Sequence, residues 1–139
     1  KGVAKIRTFG LETIGMGYLL VESDRPSAVQ VVSKTIPLGR SNPKAAVEHA
    51  LMAQYFGMQL VYLEGGSGVG VPVPADMIAA VRAAISLPLI VGGGIKTPET
   101  AVSIIKSGAD IIVTGNVFEG SGKETLLSEF VTAIHTARP

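Results

Sequence analysis

The chain has 139 residues, of which 47% are hydrophobic and 17% charged, so it is predicted to form a globular domain and not a disordered one. Its 12 basic and 11 acidic side chains nearly cancel, which excludes the positive surplus of a nucleic-acid-binding protein, and the lack of cysteine excludes disulfides and thiolate metal sites. No apolar run approaches the roughly 20 residues of a membrane-spanning helix. A cytoplasmic location is the prediction that fits these features.

Four segments have the continuous apolar character of buried parallel strands. They are residues 17–21 (GYLLV), 59–63 (QLVYL), 88–91 (PLIV) and 110–113 (DIIV). The polar stretch SDRPSAVQ at residues 23–30 is predicted to be a loop, and no element is predicted before the first strand. A helix-like stretch follows each strand, and this alternation predicts a parallel sheet with right-handed crossovers.

The helices carry recognisable start and stop signals. Asn42 and Thr97 each precede a proline, which is typical of an N-cap followed by proline at the first helical position, and Gly108 is predicted to end a helix. Small or apolar residues at helical spacing predict the buried faces. They are Ala46, Ala50, Ala53 and Gly57; Met77, Ile78, Val81 and Ile85; Ala101, Ile104 and Ile105; and, in a last helix over about residues 123–136, Leu126, Leu127, Phe130, Val131 and Ile134.

The length indicates how much of a barrel is present. A complete (β/α)8 barrel needs about 250 residues, or about 31 for each unit. We therefore expect residues 1–139 to be a single domain that holds the last four β/α units of a TIM-like barrel. The first half of the barrel is expected to be missing from this sequence, which begins without methionine. An open doubly wound α/β sheet is the competing architecture.

Three glycine clusters follow the last three predicted strands. They are YLEGGSG at residues 62–68, VGGGI at 91–95 and TGN at 114–116. Ligands bind at the carboxyl ends of parallel strands, where glycines let backbone N–H groups approach a phosphate. The clusters therefore predict a phosphate site, although tight turns alone are the structural alternative. GSGKE at residues 120–124 is not a nucleotide P-loop, because Val117 stands where that motif requires glycine.

Glu64 is the one carboxylate inside a glycine cluster. We predict that it is a general base or a hydroxyl acceptor beside the phosphate, the alternative being a solvated loop acid. Strand alternation places Tyr62 on the same side as Glu64, as a ligand contact or a core aromatic. Ser67 is either a phosphate donor or a turn residue, and Asn116 either caps the last phosphate loop or forms a turn.

Other polar residues are interpreted as structural. His49 and His135 lie on predicted helices without partners at metal-binding spacing, and we interpret both as surface or packing residues. Glu22 and Asp24 lie near the end of the first strand and are interpreted as solvated loop acids, with metal binding as the open alternative.

The order and spacing of YLEGGSG, VGGGI and GADIIVTGN resemble the geranylgeranylglyceryl phosphate synthase family, whose bacterial branch makes heptaprenylglyceryl phosphate. The similarity also covers GYLLVES, NPKAAVEHALMAQYFGM and PVP, so it spans nearly all of this chain but only the carboxyl-terminal half of the family's usual length. The resemblance implies a TIM-like barrel that joins the 3-hydroxyl of sn-glycerol 1-phosphate to a polyprenyl diphosphate. Diphosphate leaves with the help of Mg2+, in membrane phospholipid synthesis.

The resemblance also implies roles for particular residues. Glu64 would hydrogen-bond the glycerol hydroxyl and help to remove its proton. The residues implied around sn-glycerol 1-phosphate are Tyr62, Leu63, Glu64, Gly65, Gly66, Ser67, Gly68, Gly93, Gly94, Gly115 and Asn116. The family's magnesium-binding aspartate lies near the first barrel strand, so the Mg2+ ligands are expected in the missing amino-terminal half and none is assigned here.

Two other functions stay open at this point. VGGGI followed by a GAD strand also occurs in isomerases and lyases that bind phosphorylated substrates in similar barrels. A half-barrel binding module without catalytic activity is the second alternative. Four units leave two sheet edges open, so we expect the chain to form a homo-oligomer or to pair with its missing half.

Overall fold

Residues 2–137, the part of the chain that the computed structural model describes, form six α-helices and four β-strands, with at least one helix between successive strands. Each of the four predicted strands is confirmed to within one residue at either end. The elements are α1 (Gly2–Phe9), β1 (Met16–Leu20), α2 (Ala28–Ser33), α3 (Pro43–Tyr55), β2 (Leu60–Glu64), α4 (Ala75–Ala84), β3 (Leu89–Gly92), α5 (Pro98–Lys106), β4 (Ile111–Val113), a 3-10 turn (Asn116–Phe118) and α6 (Glu124–Ala137).

The strands form one parallel sheet in the order β1-β2-β3-β4. Sequential order with a helix after each strand is what successive β/α units produce. The register places Tyr18 beside Tyr62, and Glu64 beside Gly92 at the carboxyl end of β3. The carboxyl ends of β2, β3 and β4 therefore meet at one edge of the sheet.

One hydrophobic core lies between the sheet and its helices. Alternate strand residues such as Leu19, Leu63 and Val91 join buried residues of α3, α4, α5 and α6 in the same cluster. The opposite face of the sheet carries Tyr62 and Glu64. Helices α3, α4, α5 and α6 all share this one core. The doubly wound alternative places helices on both faces, so it does not describe this sheet.

The predicted helix starts and buried faces are largely confirmed. The Asn42 side chain accepts a hydrogen bond from the N–H of Ala45 at 3.1 Å, and Thr97 accepts one from Thr100 at 3.3 Å. These caps satisfy amide groups that have no partner within the first helical turn. The predicted residues that are buried are Ala46, Ala50, Ala53, Met77, Ile78, Val81, Ile85, Ala101, Ile104, Ile105 and Phe130.

Two helices were not expected from the sequence. Helix α1 precedes the first strand and has no buried residue, so no buried stripe marks it. Helix α2 begins at Ala28, inside the stretch predicted to be a loop, where Ser27 caps it by accepting from the N–H of Gln30 at 3.2 Å. The prediction was wrong there because serine is common both in turns and at helix N-caps, so Ser27 did not distinguish a loop from a helix start.

Three residues predicted to be buried are exposed. Leu127 and Val131 on α6 are 49% and 45% exposed, because no element among residues 2–137 covers their side of the helix. Gly57 lies after α3 with a φ of 78°, so it follows the helix end and is not part of its packed face. None of the helices in residues 2–137 is long and apolar enough to cross a bilayer.

Close packing of α3 on the sheet gives a stability prediction. Ala50 is fully buried, so Ala50→Leu should overfill the core and lower the free energy of unfolding by about 1–3 kcal/mol. Ala79→Leu, on the exposed side of α4, should change it by less than about 0.5 kcal/mol. Urea denaturation followed by circular dichroism measures both, and equal stabilities would contradict this packing.

Candidate active site

The carboxyl ends of β2, β3 and β4 surround an open cavity of about 590 Å³. Its walls come from all three glycine clusters and from the turn after β4. The lining residues are Tyr62, Glu64, Ser67, Gly68, Val69, Gly93, Gly94, Ile95, Lys96, Val113, Thr114, Gly115, Asn116, Val117, Glu119 and Lys123. Eight of the eleven predicted substrate-binding residues therefore line one cavity.

Glu64 is the last residue of β2 and is 8% exposed. Its Oε1 accepts a hydrogen bond from the N–H of Gly66 at 2.6 Å, which holds the carboxylate against the start of the loop. A carboxylate oxygen held in this way at the wall of a cavity can accept a hydrogen bond, or a proton, from a bound hydroxyl group.

Two tyrosines accompany Glu64. The rings of Tyr18 and Tyr62 pack edge to face with centroids 5.1 Å apart. Burial, together with the charge of Glu64 and hydrogen bonding to it, raises the pKa of Tyr18 to about 12 and raises that of Tyr62 well above its ordinary value. The raised pKa values reflect hydroxyl groups that donate towards the carboxylate, and both are protonated at neutral pH as ordinary tyrosines are.

Hydrogen bonds tie the three loops to one another. The N–H of Gly65 donates to the carbonyl of Gly92 at 2.8 Å, and Ser67 Oγ donates to Asn116 Oδ1 at 2.8 Å. Thr114 Oγ1 donates to the carbonyl of Ile95 at 2.9 Å. Each loop is thus fixed by at least one bond to a neighbour, so the cavity walls form a connected unit.

The glycines at Gly93 and Gly94 are required by the backbone. Their φ angles are 88° and 71°, which side chains rarely adopt. A Cβ at Gly93 would lie 2.5 Å from the backbone nitrogen of Gly66, so the loops after β2 and β3 approach too closely for any other residue. Both glycines also line the cavity, so a side chain at either position would change the wall as well as the backbone.

Three predicted residues do not line the cavity. Leu63 is fully buried in the core on the opposite face of the sheet, as strand alternation dictates. Gly65 and Gly66 lie behind the wall, where their N–H groups bond Gly92 and Glu64.

Several lining residues were missed by the sequence reasoning. Lys96 directly follows VGGGI, and Lys123 belongs to the GSGKE stretch that was rejected as a P-loop. Glu119 accepts a hydrogen bond from Asn116 Nδ2 at 2.9 Å. A lysine next to a glycine cluster was the available signal for Lys96. Both lysines bring positive charge to the cavity.

The other polar residues considered in the sequence analysis do not line the cavity. His49 lies on α3 with Nδ1 at 2.8 Å from the carbonyl of Ala45, and His135 is exposed on α6. Asp24 is exposed but is not merely solvated, because its carboxylate accepts from the N–H of Gly70. Within residues 2–137, no group of three or more His, Cys, Asp or Glu side chains could hold a metal ion.

Comparison with known proteins identifies relatives of this chain. The geranylgeranylglyceryl phosphate synthase of Thermococcus kodakarensis is 48% identical over 121 residues, which cover 87% of this chain and 47% of that protein. The Pyrococcus horikoshii synthase is 50% identical over 118 residues, with 85% and 46% covered. The chain thus spans about half the length of the curated relatives it matches.

This chain also covers about half of a related solved structure. The (S)-3-O-geranylgeranylglyceryl phosphate synthase from Thermoplasma acidophilum, in complex with its substrate sn-glycerol-1-phosphate, superposes with a TM-score of 0.89 at 36% identity. The match covers 96% of this chain and 53% of that one, consistent with half of a TIM-like barrel. Residues 1–134 match the PcrB family. The resemblance seen in the glycine clusters is therefore confirmed, and the chain belongs to the PcrB family.

Proposed function

We propose that this chain provides the acceptor-substrate half of a prenyltransferase that joins the 3-hydroxyl of sn-glycerol 1-phosphate to a polyprenyl diphosphate such as geranylgeranyl diphosphate. The main support is one observation: Glu64 forms part of the wall of a cavity whose other walls are glycine loops. A substrate that carries both a phosphate and a hydroxyl matches this pairing of anion-binding loops with one carboxylate. The synthase that was solved with sn-glycerol-1-phosphate has the same fold over these residues.

The glycine loops are proposed to hold the phosphate. Gly93 and Gly94 approach it from the loop after β3, Ser67 and Gly68 from the loop after β2, and Gly115 with Asn116 from β4. Backbone N–H groups and hydroxyl donors bind phosphate oxygens well because they bring partial positive charge without bulk. Glu64 then lies at the other end of the acceptor, next to its hydroxyl.

The reaction forms one bond and breaks one. The 3-hydroxyl oxygen bonds to C1 of the prenyl chain, while the bond from C1 to the diphosphate oxygen breaks and its electron pair leaves with diphosphate. The hydroxyl proton passes to Glu64. A glycerol hydroxyl is a weak nucleophile, so holding it next to a proton acceptor accounts for a large share of the rate.

No magnesium ligand is assigned to the residues described here. The resemblance implies Mg2+ at the diphosphate, and residues 2–137 hold no group of three or more His, Cys, Asp or Glu side chains that could bind it. We therefore derive no step through a metal ion from this chain. Its own residues bind the acceptor, orient it and receive its proton.

Binding and turnover can be tested separately on the full-length protein. Calorimetric titration with sn-glycerol 1-phosphate, its sn-3 enantiomer and inorganic phosphate measures binding. Mass spectrometry after incubation with geranylgeranyl diphosphate and Mg2+ detects the ether. We expect an ether with the sn-1 enantiomer; its absence would exclude the prenyltransferase, and phosphate binding alone would favour the binding module.

The exposed apolar edges support a proposed assembly. Val113 on β4 and Leu127 on α6 are 45% and 49% exposed, and no strand within residues 2–137 pairs with the outer edge of β4. Among the described residues, a single bridge between Val21 and Leu38 lies next to the outer edge of β1. We propose that a second half-barrel, from another copy or from the rest of the protein, covers these edges.

The assembly gives a prediction for the 139-residue chain expressed alone. Analytical ultracentrifugation should detect a dimer, because an open apolar edge favours pairing. Leu127→Lys should weaken the dimer, whereas Val32→Lys, on the exposed α2, should leave it unchanged. A stable monomer of the unmodified chain would contradict the proposal.

A further inference from the structure

Three side chains from the segment after β1 form hydrogen bonds to the glycine loop after β2. The proposed reaction does not use them. The Asp24 carboxylate accepts from the N–H of Gly70 through both oxygens, at 3.0 and 3.1 Å. Arg25 Nη2 donates to the carbonyl of Gly68, and Arg40 Nη2 donates to the carbonyl of Pro72 at 2.8 Å. We call Asp24, Arg25 and Arg40 the loop clamp.

The clamp contacts the loop at alternate residues. Its three partners are Gly68, Gly70 and Pro72. They lie within five residues after Ser67, which lines the cavity. Arg40 also donates to the carbonyl of Glu22 at 3.3 Å, which anchors the clamp to the end of β1. The clamp thus connects the loop to a segment that lies outside the cavity.

Steric fit supports the same contact. A Cβ at Gly70 would lie 2.5 Å from Asp24 Oδ2, so the aspartate occupies the space that a side chain there would need. The hydrogen bond from the Gly70 N–H also holds the pKa of Asp24 below its ordinary value, which means that the contact favours the charged carboxylate. A charged acceptor makes a stronger bond to an amide than a neutral one does.

An acidic residue beside a phosphate loop needs an explanation, since its charge repels the ligand. Phosphate recognition by backbone amides depends on their direction, and a glycine-rich loop has many alternative conformations. A carboxylate that binds one amide at the far side of the loop removes those alternatives without entering the cavity. We propose that Asp24, with Arg25 and Arg40, is a positioning residue that sets the affinity of the site for the phosphate of the acceptor, an inference that rests on the function proposed above.

Kinetics of the full-length protein test the clamp. Asp24→Ala should raise KM for sn-glycerol 1-phosphate about tenfold, as expected for one lost charge-assisted hydrogen bond, with KM for geranylgeranyl diphosphate unchanged. Asp24→Asn keeps an acceptor oxygen and should restore most of the affinity. Glu129→Ala removes an exposed carboxylate on α6 that is not part of the clamp, and it should have no effect.

A double variant sharpens the test. Gly70→Ala should displace the Asp24 side chain and raise the same KM about tenfold. If the two residues act through one contact, the combination of Asp24→Ala with Gly70→Ala should also be about tenfold weaker, and not about a hundredfold. Additive effects, or an equal rise in both KM values, would overturn the proposal.

Hydrogen exchange and phosphate binding separate failure of the clamp from failure of the function. Asp24→Ala should speed amide exchange in residues 66–72 while leaving that of α5 unchanged, and should weaken binding of inorganic phosphate. A protein that binds phosphate but makes no ether would exclude only the prenyltransferase. Unchanged exchange, or phosphate affinity that the substitution does not alter, would overturn the clamp, and absence of phosphate binding in the unmodified protein would overturn both.

Discussion

Glu64→Gln is expected to lower kcat for ether formation by at least about a hundredfold, the usual size of a general-base contribution. Glutamine has the shape of glutamate and keeps an oxygen that can accept from the N–H of Gly66, a contact of 2.6 Å in the native chain. It cannot accept the proton of the glycerol hydroxyl, because its amide is not basic. The loss should therefore fall on kcat more than on the KM for sn-glycerol 1-phosphate.

Two measurements separate a chemical effect from a structural one. The melting temperature of Glu64→Gln should stay close to that of the native protein, since the amide fills the same space. Glu48→Gln, at an exposed site on α3, serves as the matched control with native turnover. Full activity of Glu64→Gln would remove Glu64 from the mechanism, and the proton would then need another acceptor.

Much of the fold could be predicted because local signals agree with tertiary packing. The Asn42 and Thr97 caps, the alanines of α3 and the four apolar strands each carry a signal that packing does not override. Strand alternation alone placed Tyr62 and Glu64 on one face. The position of the glycine clusters at the carboxyl ends of strands predicted where the cavity lies.

The exposure of Leu127 and the contact of Asp24 with Gly70 could not be predicted from the sequence. Both depend on which parts of the chain, far apart in sequence, contact one another. Leu127 has the spacing of a core residue, and no periodicity indicates that its side of α6 is uncovered. The contact of Asp24 with Gly70 spans 46 positions, so it left no local pattern. The roles of the predicted site residues, the single-domain boundary and the cytoplasmic location stay predictions.

Gly93→Ala is expected to weaken acceptor binding strongly even though position 93 contributes no side chain to the cavity. An alanine at a φ of 88° is strained by about 1–2 kcal/mol. Its Cβ would also lie 2.5 Å from the nitrogen and 2.7 Å from the oxygen of Gly66. These are backbone atoms of the adjacent loop, so the strain cannot be relieved by rotating a side chain.

The consequence should be a displacement of the loop that follows β2. Glu64 accepts a hydrogen bond from the N–H of Gly66, so a shift of Gly66 should move the carboxylate together with the loop that is proposed to hold the phosphate. A misplacement of about 1 Å at a reacting group can cost about a hundredfold in rate. We expect the affinity for sn-glycerol 1-phosphate and kcat both to fall by at least that factor.

Calorimetric titration and steady-state kinetics of Gly93→Ala measure the two effects. Gly39→Ala is the matched control, because a Cβ at Gly39 meets no atom within 4 Å and its φ is not in the left-handed region. The control should bind and react like the native protein. Retention of native affinity by Gly93→Ala would mean that the two loops can separate without loss of the site, and the close approach of Gly93 to Gly66 would then have no part in holding the phosphate.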